Sequence, residues 1–150
     1  MAHGPVVLDT DTLSELSRGN TIVMARARAY LAEFGRLTIT AVTVFERLRG
    51  YRAAIRVGKP FDRQQRAFEA LVTTCVVLPF DQDAASVAAD IWSASTRAQR
   101  RELGDILIAA VAVSRQIPLA TRNTRDFQHL TKASGVNLRL VDWTTGQSSR

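Results

Sequence analysis

At 150 residues the chain is sized for one domain, and 46% apolar with 23% charged residues excludes a disordered or fibrous protein. No apolar stretch approaches transmembrane length, and no basic segment leads into a long apolar run near the N-terminus, so neither a membrane span nor a secretory signal is expected. The net charge of +6 comes from 20 basic and 14 acidic residues, and Lys59 and Lys132 are the only lysines. Arginine grips phosphate through a bidentate fork, so a polyanionic partner is admissible. On charge alone, a basic surface with no nucleic-acid role fits equally well. Cys75 is the single cysteine and is expected as a buried small hydrophobe. These features suit the cytoplasm.

Pro5-Val6-Val7-Leu8 is a short apolar run, read as a buried strand ending at Asp9. Leu13 and Leu16 then keep helical spacing up to the stop signal Arg18-Gly19-Asn20. Residues 22–34 read as a helix ended by Gly35, and Leu37-Thr38-Ile39-Thr40 as a second strand. Helices are expected over 41–57 and 62–72, and a third strand over 76–79. An Ala-rich helix over 84–95 follows, then a nearly all-apolar, buried helix over 105–114. A fourth strand at 117–121 carries Pro118, which favours a strand start or an edge. A short helix over 123–130, a last strand over 137–141 and a polar tail over 144–150 complete the chain. Alternating strands and helices specify an α/β fold with a mainly parallel sheet flanked by helices. Nothing divides the chain, so residues 1–143 are read as one domain.

Asp9, Glu46, Asp105 and Asn123 each fall just after a strand or near a helix start. In a parallel sheet those positions meet at the carboxyl ends of the strands, where such folds bind ligands. Carboxylates gathered there repel, at about 4 kcal/mol per pair about 4 Å apart with an effective dielectric near 20. Protonation or a cation relieves this, and oxygen-only donors favour Mg²⁺ or Mn²⁺.

Each residue also has a structural explanation. Asp or Thr before a helix serves as an N-cap. Asp11 or Thr10 can fill that role and leave Asp9 for function. Glu46 tends toward an apolar helix face, where Arg49 has the spacing to pair with it. Asp105 is equally a cap or a ligand, and Asn123 alone is more often a turn or cap residue. Arg49, Arg52 and Arg56 form a basic stripe, and Arg97, Arg100 and Arg101 precede Asp105. Both groups suit a phosphate backbone, although a solvated helix face is the commoner reason for the first. His3 and His129 have no partner at a useful spacing, so neither a histidine zinc site nor a Ser–His dyad is supported.

Five segments carry a resemblance across nearly the whole chain: Leu8-Asp9-Thr10-Asp11-Thr12-Leu13-Ser14-Glu15-Leu16, Thr40-Ala41-Val42-Thr43-Val44-Phe45-Glu46-Arg47-Leu48-Arg49-Gly50, Leu78-Pro79-Phe80-Asp81, Gly104-Asp105-Ile106-Leu107-Ile108-Ala109-Ala110 and Leu119-Ala120-Thr121-Arg122-Asn123-Thr124-Arg125-Asp126-Phe127. In this order they resemble a PIN domain, and more narrowly a VapC-type toxin ribonuclease of a bacterial toxin–antitoxin pair. The resemblance implies a PIN-like three-layer fold and hydrolysis of RNA by metal-activated water. Asp9, Glu46 and Asp105 match the family's three acids around Mg²⁺ or Mn²⁺, and Asn123 stands where many members carry a fourth. Thr10, Thr121 and Asp126 are expected to frame the acids, and Arg49, Arg101 and Arg122 to meet RNA. A homodimer and a VapB-like antitoxin partner are implied as well. Two departures stand out. Asp11 replaces the usual Asn, and Asn123 removes one negative charge.

Two rival readings have residues behind them. Asp9-Thr10-Asp11-Thr12-Leu13 also resembles the first motif of haloacid-dehalogenase-type phosphatases, with Asp9 as nucleophile. That family wants a site lysine and a second acid four residues after its late Asp, whereas position 109 is Ala and no lysine lies between Lys59 and Lys132. The other rival is a catalytically dead module that binds RNA or antitoxin, against which the three intact acids argue.

Overall fold

The computed structural model describes residues 4–145. Met1-Ala2-His3 and the tail from residue 146 onward lie outside the described residues. The elements in chain order are β1 (Val7–Leu8), α1 (Thr10–Ser17), α2 (Thr21–Phe34), β2 (Thr38–Thr40), α3 (Ala41–Arg56) and α4 (Asp62–Thr74). They continue as β3 (Val76–Leu78), α5 (Gln82–Ala94), α6 (Arg97–Arg100), α7 (Leu103–Arg115), β4 (Leu119–Ala120), α8 (Thr124–Lys132) and β5 (Leu140–Val141).

Among the described residues every strand pairing is parallel. Val7 and Leu8 of β1 sit opposite Leu119 and Ala120 of β4, which in turn face Leu140 and Val141 of β5. Thr38–Thr40 of β2 align with Val76–Leu78 of β3. β1 lies beside β2 and brings the two ladders together. The period-2 alternation of strand side chains then divides the core in two. Val7, Leu119 and Leu140 pack with Ile91 of α5, Ile106 and Ala110 of α7 and Phe127 of α8. Leu8, Ile39 and Ala120 point the other way and pack with Leu13, Val23, Tyr30 and Phe68 of α1, α2 and α4. The outcome is the expected sheet between helical layers. Cys75 is buried in the second cluster, as expected.

Local chemistry sets the element ends. Asn20 accepts from the backbone N–H groups of Ile22 and Val23, both at 3.1 Å, and opens α2. Gly35 closes it with φ of +79°, a left-handed conformation that glycine adopts without strain. Asp81 caps α5 through the N–H of Ala84, at 3.0 Å, so that helix begins two residues before the expected 84. The strands are shorter than the sequence suggests, because only two or three residues of each apolar run enter a ladder. α6 was not anticipated. It is one turn, opened by a capping box in which Thr96 and Gln99 satisfy each other's backbone N–H.

Candidate active site

The carboxyl ends of β1 and β4 set the geometry. Asp9 follows β1 and is only 3% exposed. One carboxylate oxygen accepts from the Thr10 N–H at 2.8 Å, and the other from the Thr121 hydroxyl at 2.9 Å. Thr121 follows β4, is fully buried, and is fixed by its own N–H to Val141 O at 2.9 Å. Thus two strands 112 residues apart hold one carboxylate by a single hydroxyl.

The structure reverses one expectation. Asp9, not Asp11, is the N-cap of α1, because its extended backbone (φ −70°, ψ 160°) places it half outside the helix. Asp11 lies inside the first turn and faces the loop after β4. Its carboxylate accepts from the Arg122 N–H at 3.1 Å and lies 3.3 Å from the Thr121 hydroxyl. Asp9 therefore has a structural and a chemical position at once.

α3 brings Glu46. Its Oε1 accepts from the Thr10 hydroxyl at 3.2 Å, and Thr10 also meets the Thr43 hydroxyl at 3.2 Å. Arg49 lies 3.9 Å from Oε2 with 63% of its side chain exposed, so the expected pair is loose and weak. Behind Glu46 stands Gly104 of α7. A Cβ built there would overlap Glu46 Oε2 and stand 2.9 Å from its Cδ. Sequence reasoning passed over Gly104. The available signal was a glycine directly before an almost wholly apolar helix, where a missing side chain allows a close packing approach.

Asp105 sits in the first turn of α7, half-buried. It is not the N-cap, which is Glu102. Burial first, then the charges of Glu102, Glu46, Asp11 and Asp126, push its carboxyl up to about 6. The Asp9 carboxyl is raised to about 8, chiefly by burial, then by Asp11, with Asp105 adding to it. Acids from β1, α1, α3 and α7 therefore share one electrostatic field, together with Asp126 of α8.

Asn123 precedes α8 and is exposed, with no side-chain bond to the helix start. It borders a cavity of about 390 Å³ that also contains Asp105, Asp126 and Glu102. Arg122 bonds to Glu15 at 3.0 Å, and Arg49 stacks over Phe45 at 5.3 Å. Arg101 follows α6 and is exposed.

Among the described residues, no three His, Cys, Asp or Glu side chains stand close enough to form a ready-made metal cage. The donor chemistry nevertheless suits a hard cation. Each carboxylate keeps lone pairs beyond those used by Thr10 and Thr121, and a cation would offset both the burial that chiefly raises Asp9 and Asp105 and the repulsion that adds to it.

The PIN domain family model matches residues 6–133. The chain belongs to the PIN domain family. It is 36% identical over 129 residues to the VapC ribonuclease Y4jK of Sinorhizobium fredii, a match covering 82% of this chain and 90% of that one. Its fold superposes with a TM-score of 0.70 on DNA-bound VapBC from Salmonella typhimurium, at 21% identity, covering 94% of this chain and 99% of the other. A toxin–antitoxin complex from Klebsiella pneumoniae aligns with a TM-score of 0.58 at 25% identity, covering 81% and 89%. The PIN-like α/β fold expected from the sequence is thus the one found. The phosphatase alternative invoked a different family. No helix among the described residues is long and apolar enough to cross a membrane.

Proposed function

We propose that this PIN domain is a divalent-metal-dependent endoribonuclease of the VapC kind, the toxin of a pair whose partner is a VapB-like antitoxin. The similarity to a VapC ribonuclease along most of the chain supports the activity. The likeness to VapBC and toxin–antitoxin complexes supports the partner. A homodimer is part of the same reading.

The observation that carries the chemistry is the junction at Asp9. A buried carboxylate, held by donors from two segments, shares its field with Asp11 and Asp105. Asp9 and Asp105, with Glu46, are the residues that would hold Mg²⁺ or Mn²⁺. Such an ion supplies a water of lowered pKa and polarises a phosphoryl oxygen. Thr121 and the Thr10 N–H fix the Asp9 oxygens, so ligand geometry is set before substrate arrives. Glu46, oriented by the Thr10 hydroxyl, would take a proton from the attacking water. Asn123 would place water or substrate at the mouth through its amide. Arg49, Arg101 and Arg122 would neutralise and orient the phosphates. Asp126 would act through Asp105, whose charge it modulates.

Pure protein incubated with total cellular RNA tests this reading. Wild type should cleave with Mg²⁺ or Mn²⁺ and not with EDTA, and Asp9→Asn should lose activity by at least about a hundredfold. Equal cleavage by wild type and variant would overturn the assignment. RNA binding without cleavage in Mg²⁺ would favour the dead-module alternative.

A further inference from the structure

The cavity beside Asp105 has more chemistry than metal binding requires. It is about 390 Å³, within the range of small-molecule sites, and opens between α6, α7 and α8. Its polar lining includes Gln99 of α6, Glu102 at the start of α7, and Asn123, Asp126 and His129 beside and on α8. Asp105 lines it and is also within the electrostatic reach of Asp9 and Glu46. Away from any bound cation, Glu102, Asp105 and Asp126 would repel a phosphate seated in this cavity. The same acids accept N–H groups. The Asn123 amide both donates and accepts, whereas Gln99 is engaged by the Thr96 N–H at 2.8 Å and the His129 carbonyl at 3.4 Å, and the His129 imidazole offers a flat face for stacking. That combination fits the edge and face of an unstacked nucleobase, which is how single-stranded RNA is read. Arg97 and Arg101, both exposed at the ends of α6, stand next to this lining and suit the flanking phosphates.

We infer that this cavity is a nucleobase subsite that seats the base next to the scissile phosphate. It favours a base with adjacent N–H donors on its Watson–Crick edge, guanine foremost, through the Glu102 carboxylate. The inference rests on the ribonuclease reading and specifies its substrate. It also gives α6 a purpose: one helical turn sets arginines at the pocket rim, while Gln99 ties α6 to α8 through the His129 carbonyl.

The test is cleavage of a randomised RNA oligonucleotide pool in Mn²⁺, with the cut sites sequenced, for wild type, Glu102→Gln and His129→Ala. Wild type should show guanine enriched at one position flanking the cut. Glu102→Gln should reduce that enrichment about tenfold, the weight of one charge-assisted hydrogen bond. His129→Ala should weaken selection at the same position and no other. The ratio isolates base reading. Glu102 also raises the Asp105 carboxyl, but a purely electrostatic effect would change the rate at all sequences alike. Glu102 is exposed and its side chain makes no cap bond, so its replacement should not lower the melting temperature. Cleavage with the same base preference in all three proteins would overturn the subsite and leave the ribonuclease reading standing. So would a Glu102→Gln effect confined to antitoxin inhibition, which would make the pocket a peptide site. No cleavage by wild type would overturn both.

Discussion

Thr121 illustrates how much one hydroxyl can organise. It is fully buried, donates to Asp9 at 2.9 Å, and accepts from the Asn123 N–H at 3.1 Å. Thr121→Val keeps the shape and removes both functions. It should cost about 1–3 kcal/mol, because the Asp9 carboxylate and the Asn123 N–H lose a partner where water is scarce. Activity should fall with it, whereas Thr121→Ser should restore most of both; thermal melting and RNA cleavage measure the two. At this scale the sequence was partly legible. Asp9, Glu46 and Asp105 could be singled out because strand ends and helix starts show in hydrophobic patterning. The division of labour between Asp9 and Asp11 could not. It depends on which residue has extended backbone at the end of β1, and both are equally good caps by type. The Asp11 contact to the Arg122 N–H joins segments 111 residues apart, beyond any local pattern.

Among the elements, the approach of α7 to α3 matters most. Gly104 lets the start of α7 come against Glu46, so the glycine acts as a spacer that sets where that carboxylate rests. Gly104→Ala should move the Glu46 side chain, the flexible partner in the overlap. Cleavage should fall by about tenfold or more, while stability holds or rises by up to about 1 kcal/mol from better helix propensity. Equal activity in that variant would separate Glu46 from catalysis. α7 was the clearest helix to foresee, since Ile106 and Ala109 to Ala112 are buried on all sides. α6 escaped notice because four residues give no periodicity. Its Thr96–Gln99 capping box was nonetheless visible as a Thr three residues ahead of a Gln. The strand cores were found and their lengths overestimated, because apolar runs extend past the ladder into the loops that reach the core.

For the molecule as a whole, burying these acids, and to a lesser degree their mutual repulsion, makes stability depend on pH. The folded state holds the Asp9 and Asp105 carboxyls at about 8 and about 6, above the ordinary value of 3.8. Their contribution is fully present below the unfolded value, and it is lost as pH rises through about 6 and then about 8. Over that window the native state keeps protons that the unfolded chain has released. In EDTA the melting temperature should therefore fall between pH 5 and about pH 8.5. Each kcal/mol corresponds to roughly 2–4 °C for a chain of this length. Mg²⁺ should flatten the curve by replacing the protons, and Asp9→Asn should flatten it without metal. A melting temperature that climbs steadily through this window in EDTA would contradict the assigned burial of the two acids.

The central claim, that these acids capture one kind of ligand together, is tested most directly by calorimetric titration of Mn²⁺ into the metal-free protein at pH 7.5. Wild type should bind with release of protons, and more tightly as pH rises, because Asp9, held at about 8, must lose its proton to coordinate, whereas Asp105, at about 6, has already lost its own. Asp9→Asn and Asp105→Asn should each weaken binding by about tenfold or more while remaining folded. Binding of equal strength in wild type and both variants, with no proton release, would show that the ion sits elsewhere and that the cluster is structural.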